Sequence, residues 1–474
     1  MVSLRLNFLE VYQMKLVKSL LLGSAAGIAA VAGAQAADLP SRKAAPVEYV
    51  RVCTAYGAGF FYIPGTDSCL RISGRVRAEY AVGSRYSDYQ DAYGTRARGR
   101  LNIDVRTATA YGTLRTFIRY ELTNNTGIYG AGGITPFNVG ATVPGFVRGA
   151  SSTSTGSLLD LAFVQFGPIT AGRAQSFFDF YANDLGFNSV RTSDTRVNLL
   201  AYTATFGSGF SATISAEDRT SGTSGRELPG AAFNPLVGGA AAAAVVQGQD
   251  YPDLIASLRV DQGWGSAQLS GAVGQRKYAT AAALGAVDGD EMVWAIQGGV
   301  KINLPMLAAG DAFWLQAAYA DGALGYLGWS PGSLGLGRIG GLVLADAALN
   351  PVTGNVDNST GWSVVAAFRH FWTPTLRTEI FGSYSEVKFK YLDAAAVAFG
   401  GLTARSADPK ELILAGNLIW SPVSGLDIGV EVLYSHLDIR SPVGSVSNAA
   451  ARSAVLGIKS EDSVAGRLRI QRDF

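Results

Sequence analysis

Runs of about ten residues in which apolar and polar side chains alternate recur along most of this chain, each followed by a turn signal. Residues 70–80 set the pattern. Leu70, Ile72, Val76, Ala78 and Tyr80 share one parity, and Arg71, Ser73, Arg75, Arg77 and Glu79 share the other. Successive side chains of a strand point to opposite faces, so such a run makes one apolar and one charged face. Residues 96–106 repeat it, with Arg96, Arg98, Arg100, Asn102, Asp104 and Arg106 opposite Ala97, Gly99, Leu101, Ile103 and Val105. Residues 113–122 set Arg115, Arg119 and Glu121 against Leu114, Ile118, Tyr120 and Leu122, and residues 376–384 and 426–435 behave alike.

A soluble β-sandwich with one wet face competes for any single run. Its strands usually span about 5–6 residues, whereas these runs approach the roughly 9–11 that cross a bilayer at a tilt. Aromatic residues collect at run ends (Tyr80, Tyr111, Phe166, Phe206, Phe210, Trp264, Trp372, Trp420), as in the interfacial girdles of membrane barrels. Connections alternate in length. Short ones fall near 108–110, 167–168, 207–209, 261–265, 372–375 and 421–425, and long ones near 123–156, 176–196, 218–250, 321–360, 390–410 and 438–463. Short turns on one rim and long loops on the other are the outer-membrane arrangement. Sixteen runs are counted, although 157–166 and 291–303 alternate poorly. The fold class expected is an all-β, transmembrane, antiparallel barrel of sixteen strands, its first and last strands pairing to abolish the sheet edges.

Lys15 and Lys18 precede an apolar, Ala/Gly-rich stretch at 20–33, and Ala34-Gln35-Ala36 fits a signal-peptidase site. Residues 1–36 are therefore read as a signal peptide, with Met14 an alternative start, and 70–474 as the barrel. Without that leader the chain carries 36 basic and 36 acidic residues, so electrostatic function must come from where charges sit, and no basic tail suggests nucleic acid. The segment 37–69 contains both cysteines, Cys53 and Cys69. In an oxidising periplasm a pair this close is read as a disulfide tying the segment to the periplasmic end of the barrel. Metal binding or free thiols are the alternatives, and neither histidine, His370 or His436, lies nearby.

Three stretches resemble the alphaproteobacterial general porins: residues 47–69 (VEYVRVCTAYGAGFFYIPGTDSC), residues 172–181 (GRAQSFFDFY) and the terminal QRDF at 471–474. The resemblance implies a homotrimer of sixteen-stranded barrels in outer-membrane lipid, each with its third external loop folded into the lumen. The strand count independently puts the third long loop at 176–196. A last strand ending in Phe474 is similar to the signal read by the barrel-assembly machinery.

An unobstructed barrel of this size would leak, and an inserted loop would narrow it. Asp179, Asp184 and Asp194 are the acidic candidates on that loop. Arg75, Arg77, Arg98, Arg100, Arg115 and Arg119 are the candidates on the facing wall. Opposed fixed charges would set a transverse field, and charge with radius would decide which solutes pass. Guanidinium suits such a wall, because it stays ionised beside like charges. The arginines could also pair with Glu79, Asp104 and Glu121. The function expected is passive diffusion of small hydrophilic solutes and ions through a general outer-membrane porin, with no cofactor, no metal and no catalytic residue. A substrate-specific channel is the first alternative, and a blocked barrel acting as adhesin or enzyme the second. The string GLGRIG at 335–340 lacks the strand-to-helix setting of a dinucleotide site. His370 and His436 are read as interfacial residues rather than a dyad.

Overall fold

In the computed structural model the residues described are 51–84, 91–129, 153–219, 226, 228, 245–246, 250–279, 288–329, 346–349, 355–389, 397–399, 402–404, 408–440 and 459–474. The leader expected at 1–36 and the start of the N-terminal segment lie outside them. Sixteen long strands follow in order: β1 Ser68–Gly83, β2 Tyr93–Thr109, β3 Gly112–Asn125, β4 Ser154–Phe166, β5 Ile169–Gln175, β6 Arg196–Gly207, β7 Phe210–Glu217 and β8 Asp253–Gln262, then β9 Gly265–Ala279, β10 Asp288–Asn303, β11 Ala312–Asp321, β12 Val356–Thr373, β13 Leu376–Phe389, β14 Lys410–Val423, β15 Leu426–Asp438 and β16 Ser460–Asp473. Each pairs antiparallel with its sequence neighbours. β1 also pairs with β16, from Arg75 opposite Asp473 to Gly83 opposite Ala465, and the sheet closes. Closure satisfies the edge hydrogen bonds that lipid could not.

The rims differ as the connection lengths predict. Two-residue turns at 110–111, 167–168, 208–209, 263–264, 374–375 and 424–425, with an eight-residue turn at 304–311, lie on one side. In the 208–209 turn both central residues have positive φ, Ser208 at 48° and Gly209 at 78°, as a type I′ hairpin requires. A Cβ on Gly209 would lie 1.9 Å from the Asp261 carbonyl oxygen, so only glycine fits.

The wall is apolar outside. Ile72, Val76, Leu200, Ile214, Leu254, Leu258, Ile380 and Val432 are exposed on it. Two aromatic bands frame that zone. Trp264, Trp372, Trp420, Tyr111 and Phe166 mark the short-turn end, and the Trp294–Tyr319 and Trp362–Tyr384 pairs, each 5.3 Å between centroids, mark the other. His370 sits in the first band, 4.5 Å from the Trp372 ring and 2.6 Å from Asp311. Two charges stand on the apolar parity of the last strand: Asp462 at its long-loop end accepts from Tyr434 and pairs with His436, and Arg472 donates to the Ser424 carbonyl at the opposite rim.

Both weakly alternating runs have local causes. In β4 the register against β3 slips at Asp160, where Arg119 faces Leu161 and Tyr120 faces Leu159. This bulge inverts the parity of the strand halfway along. In β10 the parity holds, but Val293 and Ala295 are apolar and buried on the inner side.

The Cys53–Cys69 disulfide is formed, with the Cα atoms 6.0 Å apart. Phe61 and Tyr62 pair with Leu70 and Cys69. Cys69 thus belongs to the first barrel strand, just ahead of the boundary expected at 70. Phe60 packs against the disulfide, and Arg106 lies 5.0 Å from its ring centroid.

Candidate functional site

The loop joining β5 to β6, residues 176–195, is the third on the long-loop rim and is called L3. Its hydrogen bonds run to strands on the opposite side of the barrel, so it crosses the lumen. The Tyr181 N–H donates to Gln316 Oε1 on β11 at 2.8 Å, and Gln316 donates to Thr192 at 2.8 Å. The Arg191 N–H donates to Ser383 on β13 at 3.0 Å, and its guanidinium pairs with Glu411 on β14. At the tip, Glu431 of β15 accepts the N–H of Phe187 at 2.6 Å and of Asn188 at 2.8 Å. Asn417 donates to the Leu185 carbonyl at 3.2 Å, while Arg467 and Arg469 of β16 donate to the Phe187 carbonyl. Backbone groups in a lumen need partners, and inward polar side chains of eight strands supply them, Glu217 of β7, Gln268 of β9 and Gln297 of β10 included.

Between this strap and the wall of β1 to β4, the start of β6, and β12 to β16 lies a cavity of about 610 Å³. Eight guanidiniums border it, those of Arg75, Arg77, Arg98, Arg100, Arg196, Arg369, Arg377 and Arg469. Seven carboxylates do so too: Glu121, Asp160, Asp184, Asp194, Glu379, Asp427 and Asp473. The lining is thus one charge from neutrality, and most of the charges are matched. Arg75 meets Asp473 at 2.5 Å, Arg98 and Arg100 meet Glu121 at 3.4 and 2.5 Å, and Arg196 meets Asp160 at 3.5 Å. Arg369 meets Glu379 at 2.9 Å, Arg377 meets Asp427 at 2.8 Å, and Arg469 meets the buried Glu79 at 2.6 Å. Arg77 differs. Its Nε and Nη2 donate to Gln471 Oε1 at 3.0 and 2.9 Å, and among the described residues it has no carboxylate partner.

Of the residues singled out in the sequence, Arg75, Arg77, Arg98, Arg100, Asp184 and Asp194 border this cavity together. The other three sit elsewhere. Arg115 lies nearer the short-turn rim and is held by Asp104 at 3.0 Å. Arg119 donates to Asn102 at 3.0 Å and reaches Asp160 at 3.4 Å. Asp179 is buried and turned away from the cavity. It accepts from Ser193, Gln175 and the Thr195 N–H, with Arg226 at 3.6 Å. A buried carboxylate needs such partners, so Asp179 closes L3 on itself. The sequence reading missed Arg196, Arg369, Arg377 and Arg469. Three of these stand on strands that only barrel closure brings into the same wall as β1 and β2, Arg469 directly beside Glu79 of β1.

The lumen is filled unevenly. Beside β8 to β11, the inward Ile255, Ala272, Val293, Ala295, Ala318 and Ala320 pack against Phe178 of L3, Leu228, and the buried 3-10 turn Leu324–Leu327 with Trp329. A paired ion network anchors this plug. Arg226 meets Glu217 at 2.7 Å, Arg276 meets Asp346 at 3.2 Å and Asp253 at 3.4 Å, and the Tyr326 hydroxyl donates to Asp253 at 2.9 Å. The open cavity therefore lies off centre, along the arginine-bearing strands.

Comparison with known proteins agrees with this architecture. A family model described as a porin subfamily matches residues 38–467. Porin Omp2b of Brucella suis biovar 1 (strain 1330) is 34% identical over 324 residues, covering 65% of this chain and 75% of that protein. Porin Omp2b of Brucella melitensis biotype 1 matches at the same identity and coverage. Among solved structures, the outer membrane channel DcaP of Acinetobacter baumannii superposes with a TM-score of 0.60 at 16% identity, over 87% of this chain and 99% of that one, a likeness of fold.

Proposed function

The chain belongs to this porin subfamily and is a general porin of the bacterial outer membrane, and from that premise we propose that its conducting path is the off-centre cavity between L3 and the arginine wall. Small hydrophilic solutes and ions diffuse through it down their gradients, and no cofactor takes part. Arg75, Arg77, Arg98, Arg100, Arg196, Arg369, Arg377 and Arg469 line one flank, and Asp184 and Asp194 the other. Arg115, Arg119 and Asp179 act on the constriction indirectly, by holding its supports. The observation that carries this reading is a cavity lining in which, among the described residues, every charge has an ion-pair partner except Arg77 on the wall and Asp184 on the loop. Near neutrality favours weak ion selectivity, and the excess of one guanidinium in the lining tips it toward anions. Reversal potential and single-channel conductance in planar bilayers test this. Absence of stepwise current, or a clear preference for cations, would overturn it.

The same reading covers the partners. The chain is proposed to assemble as a homotrimer in outer-membrane lipid, to be exported by the leader at 1–36, and to be handed to the barrel-assembly machinery through the strand ending in Phe474. The apolar outer wall with its two aromatic bands supports lipid contact.

A further inference from the structure

A second, smaller recess opens on the short-turn side of L3, at the ends of β8 to β11. It holds about 260 Å³ and is lined by Phe180, Asp184, Arg259, Lys301 and Trp314, among others. Arg259 is locally neutralised, since its Nε and Nη2 donate to Asp261 at 2.7 and 2.8 Å. Two charges in the recess are not. Lys301 Nζ lies over the Trp314 ring, 5.0 Å from the centroid, and among the described residues makes no ion pair. Asp184 among the described residues makes neither a hydrogen bond nor an ion pair. One cation and one carboxylate thus line a common space without a direct ion pair between them. Phe180, with Arg259 over its ring, lines the same recess.

We propose that this recess is a transit site for small zwitterions of the free amino-acid class, the ammonium directed at Asp184 and the carboxylate at Lys301. A ligand carrying both charges on a short frame satisfies both groups at once. A simple anion meets Asp184 and a simple cation meets Lys301, each at a repulsive cost, and a neutral sugar satisfies neither. Like-charge juxtaposition is the usual way a site rejects the wrong ligand. The volume falls below the roughly 300–1,000 Å³ of sites for drug-sized ligands, which limits the occupant to small amino acids. Asp184 also borders the larger cavity, so the recess communicates with the proposed conducting path. A station on such a path must bind well enough to be entered and weakly enough to be left.

The inference rests on the pore reading, and flux through the full-length protein in liposomes separates the two. Labelled glutamine flux is expected to saturate with concentration, while flux of a neutral sugar of similar size stays linear. Alanine should compete with glutamine, and propionate or ethylamine at the same concentration should compete far less. Lys301→Gln should weaken glutamine binding about tenfold, the effect of losing one charge contact of about 1.4 kcal/mol. Lys301→Met serves as a second variant should that protein fold poorly, and the wild-type competition needs no variant. Linear glutamine flux in the wild type, saturation unchanged in both Lys301 variants, or equal competition by propionate would each overturn the proposal. Sugar flux that persists in those arms leaves the pore reading intact, and its loss would sink the pore reading instead.

Discussion

The backbone N–H of Asn188 donates to Glu431 Oε1 at 2.8 Å, so the tip of L3 is fastened to a strand far from its roots on β5 and β6. The Phe187 N–H occupies the other carboxylate oxygen. Glu431→Ala would strand both donors, and a buried donor left unpaired costs about 1–3 kcal/mol. The expected result is a barrel that still folds but carries noisier current, because the tip samples positions off the wall. Noise spectra of single channels check this, and noise equal to the wild type would show that Arg467, Arg469 and Asn417 hold the tip without Glu431.

Among the described residues, Arg77 is the guanidinium on the cavity wall that makes no direct ion pair. Arg77→Gln should move the reversal potential toward cations. A unit charge about 5 Å from a passing ion contributes about 0.8 kcal/mol in water, equivalent to about fourfold in the permeability of each ion and in opposite senses for anion and cation. Arg115→Gln, whose partner Asp104 lies away from the cavity, should leave the ratio near that of the wild type. Equal shifts in the two variants would displace Arg77 from its special role.

The seam between the first and last strands predicts a glycine requirement. Gly74 and Phe474 exchange backbone hydrogen bonds at 2.9 and 3.0 Å, and a Cβ on Gly74 would come within 2.4 Å of the Phe474 ring. Gly74→Val should displace that ring, cost about 1–3 kcal/mol as overpacking does, and lower the yield of folded barrel. Gly99 has nothing within 4 Å of its notional Cβ, so Gly99→Val should assemble normally. Folded yield, read from heat-modifiable electrophoretic mobility, separates the two.

The disulfide should protect the segment before β1 rather than the barrel. Closing a loop of about 15 residues is worth about 3 kcal/mol in the chain-entropy view, and here the sequence separation is 16. Cys53→Ser, or mild reduction, should make residues 53–67 accessible to protease, while the sixteen strands stay resistant. Loss of the barrel on reduction would contradict this.

Nearly all of the fold was legible in the sequence, because a wall with lipid on one side and water on the other stamps a period of two on every strand. Where the period faded, the structure supplies the cause: the bulge at Asp160, and the plug that makes the inward residues of β10 apolar. The position of L3 was also legible. The membership of the cavity lining was only partly so. Arg75, Arg77, Arg98 and Arg100 follow from strand parity, but Arg369, Arg377 and Arg469 join them only through closure of the ring, a long-range relation that no local pattern encodes. Asp179 was misplaced because parity has no meaning within a loop; hydrogen bonds from Ser193 and Thr195 decide where its carboxylate points.

The plug beside β8 to β11 splits the inner wall into two regimes of tolerated change. Inward positions such as Ala272, Val293 and Ala318 answer to volume, as positions in a soluble core do, and should accept apolar replacements of equal size but not charges. Inward positions on β1 to β3, across the open cavity, answer to charge and hydration, and should accept changes of size that keep their polarity. Engineering of solute preference therefore has the strands along the cavity to work with, and the four strands beside the plug are a foundation.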